Sequence, residues 1–109
     1  MAIPHAAPGM PVDLRPQGEL LSEARTTALV KNEAFEAIRM VVPRGHEVCH
    51  NHRVEGPITI LCLEGRIAFT TDGDAHSLRA GQWLFLPGGV PHTIAGIEDS
   101  LMLLTVMFR

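Results

Sequence analysis

Basic residues are scarce in this chain. Nine Lys and Arg stand against 12 Asp and Glu, the net charge is −3 and the pI is near 6.0. No basic run occurs, and a nucleic-acid or anionic-membrane partner needs a basic face, so neither is expected. Cysteine is equally sparse: Cys49 and Cys62 are the only two. With no sign of export they are expected as reduced thiols rather than a disulfide. The longest apolar run, residues 101–108 interrupted by Thr105, is too short to cross a bilayer as a helix. The opening MAIPHAAPGMPV lacks the charged start and apolar core of a signal peptide, and its three prolines would break such a helix. The cytoplasm is the expected compartment.

What is present is enough for one domain with a core. Of 109 residues, 46% are apolar and 19% charged, a globular balance. Residues 1–19 hold four of the eight prolines and show no periodicity, which marks an extended arm able to pack on a neighbour. From Leu20 to Arg109 the texture is that of a single folded unit. Residues 22–25 suit a short turn and residues 26–31, TTALVK, a strand. Residues 35–42, FEAIRMVV, fit either helix or strand on composition. The Pro43-Arg44-Gly45 stop at strand length decides for a strand. Strands are further expected at residues 58–63, 66–71, 75–78, 83–86, 92–95 and 100–108, separated by Gly and Pro turns and an Asp72-Gly73-Asp74 hairpin. Short strands at about ten-residue spacing without a helix imply an all-β sandwich or barrel.

The chemistry-bearing residues cluster in two stretches, GHEVCHNHRVEGPITILCLEG at 45–65 and GQWLFLPGGVPH at 81–92. On a strand, His46, Val48, His50 and His52 would share one face and Glu47, Cys49, Asn51 and Arg53 the other. Two imidazoles about 6–7 Å apart along a strand can reach one cation, and His92 is the natural third ligand from another strand. Neutral imidazoles suit Zn, Fe, Ni, Cu or Mn alike. On spacing alone, a solvated, inert His-rich loop explains the H-x-H as well.

The two stretches resemble the paired motifs of the cupin superfamily, the RmlC-like jelly rolls. The second motif, G-x5-P-x-G-x2-H-x3-N, is met by Gly81, Pro87, Gly89 and His92, with Gly96 in place of the final Asn. Fifteen residues separate Gly65 from Gly81, the compact spacing of small bacterial cupins. The first motif, G-x5-H-x-H-x3-4-E-x6-G, is met by His50, His52 and Gly65. Gly45 stands one residue too near, and Ile58 occupies the place of the glutamate. The phrases GPITI, LEGR and EDS are similar to those of a subgroup of short single-domain cupins of unassigned function, in which that glutamate is often absent.

The resemblance implies an all-β double-stranded β-helix, a cupin jelly-roll barrel over residues 20–109, with motif 1 at 45–65 and motif 2 at 81–96. It also implies a divalent metal at the barrel mouth on His50, His52 and His92. Without the glutamate such a site is neutral, so a dication would keep its full charge and open positions. Glu55 could substitute only if its turn folds inward. His46 would lie at the rim. Cys62, in step with Ile58 and Ile60, reads as a small buried hydrophobe or a soft ligand. His76 reads as surface and Trp83, Phe85 and Phe69 as core. Three readings stay open: a metal-dependent oxygenase or isomerase acting on a small organic molecule, a non-catalytic module that binds or senses one, or a structural dimer whose histidines merely hydrogen-bond. The last strand is apolar on both faces, and a second subunit would cover the outer one, so a homodimer is expected.

Overall fold

The computed structural model describes residues 6–108, with residues 50–52 described by backbone alone. Nine strands appear among them: β1 (Thr27–Lys31), β2 (Phe35–Val42), β3 (Glu47–His52), β4 (Ile58–Glu64), β5 (Arg66–Thr71), β6 (Asp74–Arg79), β7 (Trp83–Leu86), β8 (His92–Gly96) and β9 (Ser100–Met107). They form two antiparallel sheets, ordered β1-β2-β9-β4-β7 and β3-β8-β5-β6. This is the all-β jelly roll that the resemblance implies, and β2, ambiguous by composition, is a strand over residues 35–42.

Alternation builds the core. Along β4 the odd burial is strict: Ile58, Ile60 and Cys62 are at most 2% exposed, while Thr59, Leu61 and Leu63 are only partly covered. Register carries that face across the sheet, since Ile58, Ile60 and Cys62 oppose Val106, Leu104 and Met102 of β9. Ile67 and Phe69 of β5, Leu78 of β6 and Ile94 of β8 meet them from the second sheet. Burying a side chain of that size contributes about 1.5–3 kcal/mol each. The β5–β6 hairpin turns on Asp72 and Gly73, both at positive φ, as an Asp-Gly two-residue loop requires.

The N-terminal segment is tied to the five-stranded sheet of its own chain. Ala6 N–H donates to Leu29 O at 2.8 Å. The Glu64 carboxylate accepts from Gln17 N–H at 2.7 Å and Gly18 N–H at 2.9 Å. A short 3-10 helix follows at Gly18–Glu23 and buries Leu21, a few residues earlier than the turn expected at 22–25.

Candidate functional site

The site is assembled by β3 and β8, which pair antiparallel at the end of the four-stranded sheet. Three residues of β8 face inward, His92, Ile94 and Gly96, and all three are buried. Directly opposed Cα partners share a sheet face, so the register fixes what β3 can bring to them. Glu47 opposes Ala95, Cys49 opposes Ile94 and His52 opposes His92. The two motifs thus meet at a cross-strand pair of histidines.

The register slips between Glu47 and Cys49 and again between Cys49 and His52. Such bulges break simple alternation, which corrects one expectation. Strict alternation puts Cys49 on the face opposite the histidines, yet it opposes the core residue Ile94 and packs against the core beside Val48. Its burial pushes the thiol pKa up from the ordinary value. The side chains of His50 and His52 lie outside the described residues, so the three-histidine convergence is fixed only at His92 and at the backbone of β3. Among the described residues no group of three His, Cys, Asp or Glu is placed to hold a metal ion.

His92 is 3% exposed and its surroundings are defined. Its ring stacks on Phe69 with centroids 5.8 Å apart and planes 11° off parallel. Nδ1 lies 3.3 Å from the Val90 carbonyl. A proton on Nδ1 donated to that carbonyl puts the lone pair on Nε2, the tautomer that a metal ligand needs.

The remaining candidates separate. His46 is exposed; its backbone carbonyl accepts from Gly96 N–H at 3.0 Å, which holds β8 rather than a ligand. Glu55 is exposed too. Ile58, at the glutamate position of the motif, is 2% exposed and belongs to the core. Cys62 is fully buried, with its thiol 3.5 Å from the Glu64 carbonyl, and desolvation pushes its pKa up. It behaves as the small buried hydrophobe.

Two aromatic expectations fail. Trp83 and Phe85, read as core, are each 59% exposed, because β7 turns its Leu84 and Leu86 inward. Phe69 is core as expected, but its contact with His92 escaped the sequence. No sequence signal marks it, because it follows from the pairing of β5 with β8, in which Phe69 opposes Ile94 two residues from His92. Phe69 also walls a cavity of about 320 Å³ that opens between the edges of β6 and β7, shared with His76, Leu84 and Phe85.

Residues 38–108 match the family model of the cupin domain (Cupin_2). The chain belongs to the cupin family. No curated protein sequence matches it. Among solved structures, this cupin is similar to a cupin superfamily protein from Desulfitobacterium hafniense, 22% identical, with a TM-score of 0.80 over 98% of both chains. A conserved protein of unknown function from Streptococcus pyogenes is 21% identical, with a TM-score of 0.76 over 100% of this chain and 96% of that one. An RmlC-like cupin with a double-stranded β-helix fold from Methanocaldococcus jannaschii is 20% identical, with a TM-score of 0.68 over 75% and 77%. At these identities the likeness is one of fold, and fold does not choose a function.

Proposed function

We propose that this small cupin binds a divalent metal ion through His50, His52 and His92 and holds a small organic molecule beside it. The β3–β8 register carries the reading: His52 stands opposite His92, a buried histidine with its Nδ1 at a backbone carbonyl. Imidazole nitrogens fit Fe, Mn, Ni, Zn or Cu. A metal held by them alone supplies Lewis acidity toward oxygen atoms of a ligand. The chain's own residues bind and orient. Val90 fixes the His92 ring, while the stacked Phe69 ring keeps bulk water from one of its faces. Oxygenation or isomerisation of a small organic molecule is the chemistry that suits such a site.

Ile58 favours a second reading. With hydrocarbon where the motif has a carboxylate, and Glu55 exposed, neither of these positions offers a general base to the barrel among the described residues. A non-catalytic module that binds or senses a ligand needs none. Elemental analysis of protein purified without an affinity tag from metal-supplemented medium tests the site itself. Stoichiometric metal that disappears in His52→Ala and in His92→Ala supports it, and occupancy should fall as pH drops through about 6.5, where imidazoles protonate. Metal-free protein, or occupancy flat from about pH 8 to 5, overturns it. Turnover by the loaded protein then separates the two readings.

A further inference from the structure

The inward face of β6 ends in open space. Register sets His76 opposite Phe69 and two residues from Leu78, so all three belong to the barrel side of the four-stranded sheet. Phe69 and Leu78 are buried accordingly, but His76 is exposed. The seam between the sheets is the reason. β6 and β7 are edge strands of different sheets and do not pair, and the cavity of about 320 Å³ opens between them. Its apolar floor comes from both sheets, Phe69 and Leu78 on one side and Leu84 and Leu86 on the other. His92 does not line it: the imidazole stacks on Phe69, which does. Two polar groups face this space at one end. Thr71 opposes Asp74 and is therefore the diagonal cross-strand neighbour of His76, within reach of an imidazole. The Thr71 hydroxyl donates its proton to the Pro91 carbonyl at 3.0 Å, so toward a ligand it can only accept. The His76 ring has no hydrogen-bond partner among the described residues, and a neutral imidazole offers one donor and one acceptor.

We propose that this seam is a binding site for a small phenol of one or two rings, separate from the histidine cluster and independent of any metal. A benzene-sized guest fills an apolar cavity of about 150 Å³, so the volume of about 320 Å³ takes two fused rings. The leucine floor and the Phe69 and Phe85 rings receive flat hydrocarbon. A hydroxyl is the polar group that fits the end of the cavity. It donates to the Thr71 oxygen and accepts from the His76 N–H, and so satisfies both with one atom. A carboxylate only accepts, so it would oppose the Thr71 lone pairs, and it would find neither lysine nor arginine in the lining. A bare hydrocarbon would leave both polar groups unmatched.

2-Naphthol is a probe of that class. Titrated calorimetrically into the intact protein in EDTA, it should bind one to one with a Kd of roughly 10–100 µM. Naphthalene and 2-naphthoate should each bind at least about 10-fold more weakly. In methyl NMR spectra the shifts caused by 2-naphthol should gather on Leu78, Leu84 and Leu86. His76→Phe keeps a flat ring at an exposed position, so unaltered far-UV dichroism is expected and checks that the variant folds. It should cut the preference for 2-naphthol over naphthalene to about 3-fold or less, the share left to Thr71. Absence of binding up to about 1 mM overturns the proposal. So does 2-naphthoate binding as tightly as 2-naphthol, or a preference that survives His76→Phe. Shifts centred on other methyls would place the probe elsewhere and overturn it too. Binding that appears only when a divalent metal replaces the EDTA would assign the probe to the histidine cluster and likewise overturn the seam site.

Discussion

Gly96 occupies the position where the family motif carries asparagine, and restoring a side chain there should destabilise the protein. A Cβ at Gly96 would run into the Pro43 carbonyl oxygen, with the Pro43 carbonyl carbon at 2.8 Å and the Val42 oxygen at 3.0 Å. All three are backbone atoms, so no rotamer relieves the clash. Nor can the strand slide away. Gly96 N–H donates to His46 O at 3.0 Å, and its own carbonyl accepts from Gly45 N–H at 2.9 Å. Overpacking costs about 1–3 kcal/mol where a core can yield, and yielding here stretches two hydrogen bonds worth about 1 kcal/mol each. Gly96→Ala should therefore cost at least about 3 kcal/mol. Unfolding entropy scales with length, so for a chain of 109 residues each kcal/mol lowers Tm by about 4–5 °C and the loss is about 13 °C or more. Gly96→Asn begins with the same Cβ and should lose as much. Gly45→Ala is the control: φ is +77° but nothing lies within 4 Å, so only the left-handed backbone is strained, at about 1–2 kcal/mol. Thermal melts of the three variants decide it. A Gly96→Ala protein melting within about 3 °C of the parent, or no lower than Gly45→Ala, would refute the close approach of β8 to the 42–43 backbone.

Three further outcomes follow from other sites. Arg39 is a buried guanidinium whose Nε has no hydrogen-bond partner, and burial lowers its pKa; Arg39→Met should be neutral or up to about 2 kcal/mol stabilising in urea denaturation, while Arg39→Ala, which leaves a void, should destabilise. Glu64→Ala removes the acceptor of the Gln17 and Gly18 amides and should cost about 1–2 kcal/mol after screening, with faster limited proteolysis before residue 25; an unchanged cleavage rate would count against that anchor. Burial raises both thiols above the ordinary 9.0. The unfolded chain therefore loses those protons first, so stability should hold below about pH 8.5 and decline as pH rises toward the folded values, and a thiol reagent should label neither cysteine quickly until urea is added.

Much of this was legible in the residues. Period-two alternation with Gly and Pro stops located the strands, because a barrel strand must present one apolar face and turn within a few residues. The signature phrases prove to be structural. Gly65, at φ +80°, sits against Asp99 O and Ser100, and the Ser100 hydroxyl accepts from Arg66 N–H at 2.9 Å and donates to Glu98 O at 2.7 Å. LEGR and EDS are thus two sides of one lock between β4, β5 and β9. What strand alternation could not give was the course of β3. Two bulges set its register against β8, and they are written in the geometry of pairing rather than in any residue type, so Cys49 was put on the wrong face. Trp83 and Phe85 were misplaced for a related reason: WLFL alternates two large residues with two leucines, and only the pairing of β7 with β4 says which pair turns inward.

Ile58 offers the sharpest test of whether the barrel is a metal site at all. It fills the place of the family's carboxylate, is 2% exposed and opposes Leu86 on one side and Val106 on the other. Ile58→Glu restores the motif at the expense of the core. It gives up about 1.5–3 kcal/mol of apolar burial and places a carboxyl in hydrocarbon, which costs several kcal/mol more unless the group stays protonated or finds a cation. The metal-free variant should therefore melt far below the parent, and increasingly so as pH rises, because the ionised form is the one the core rejects. If His50, His52 and His92 hold a cation, the new carboxylate becomes its fourth ligand. Added metal at about 100 times its Kd should then return about 2.7 kcal/mol, and the recovery should exceed the metal response of the parent. His92→Ala in the same background should abolish it. Destabilisation that no divalent metal relieves would mean that position 58 does not face the histidines, and the three-histidine site would lose its geometric basis.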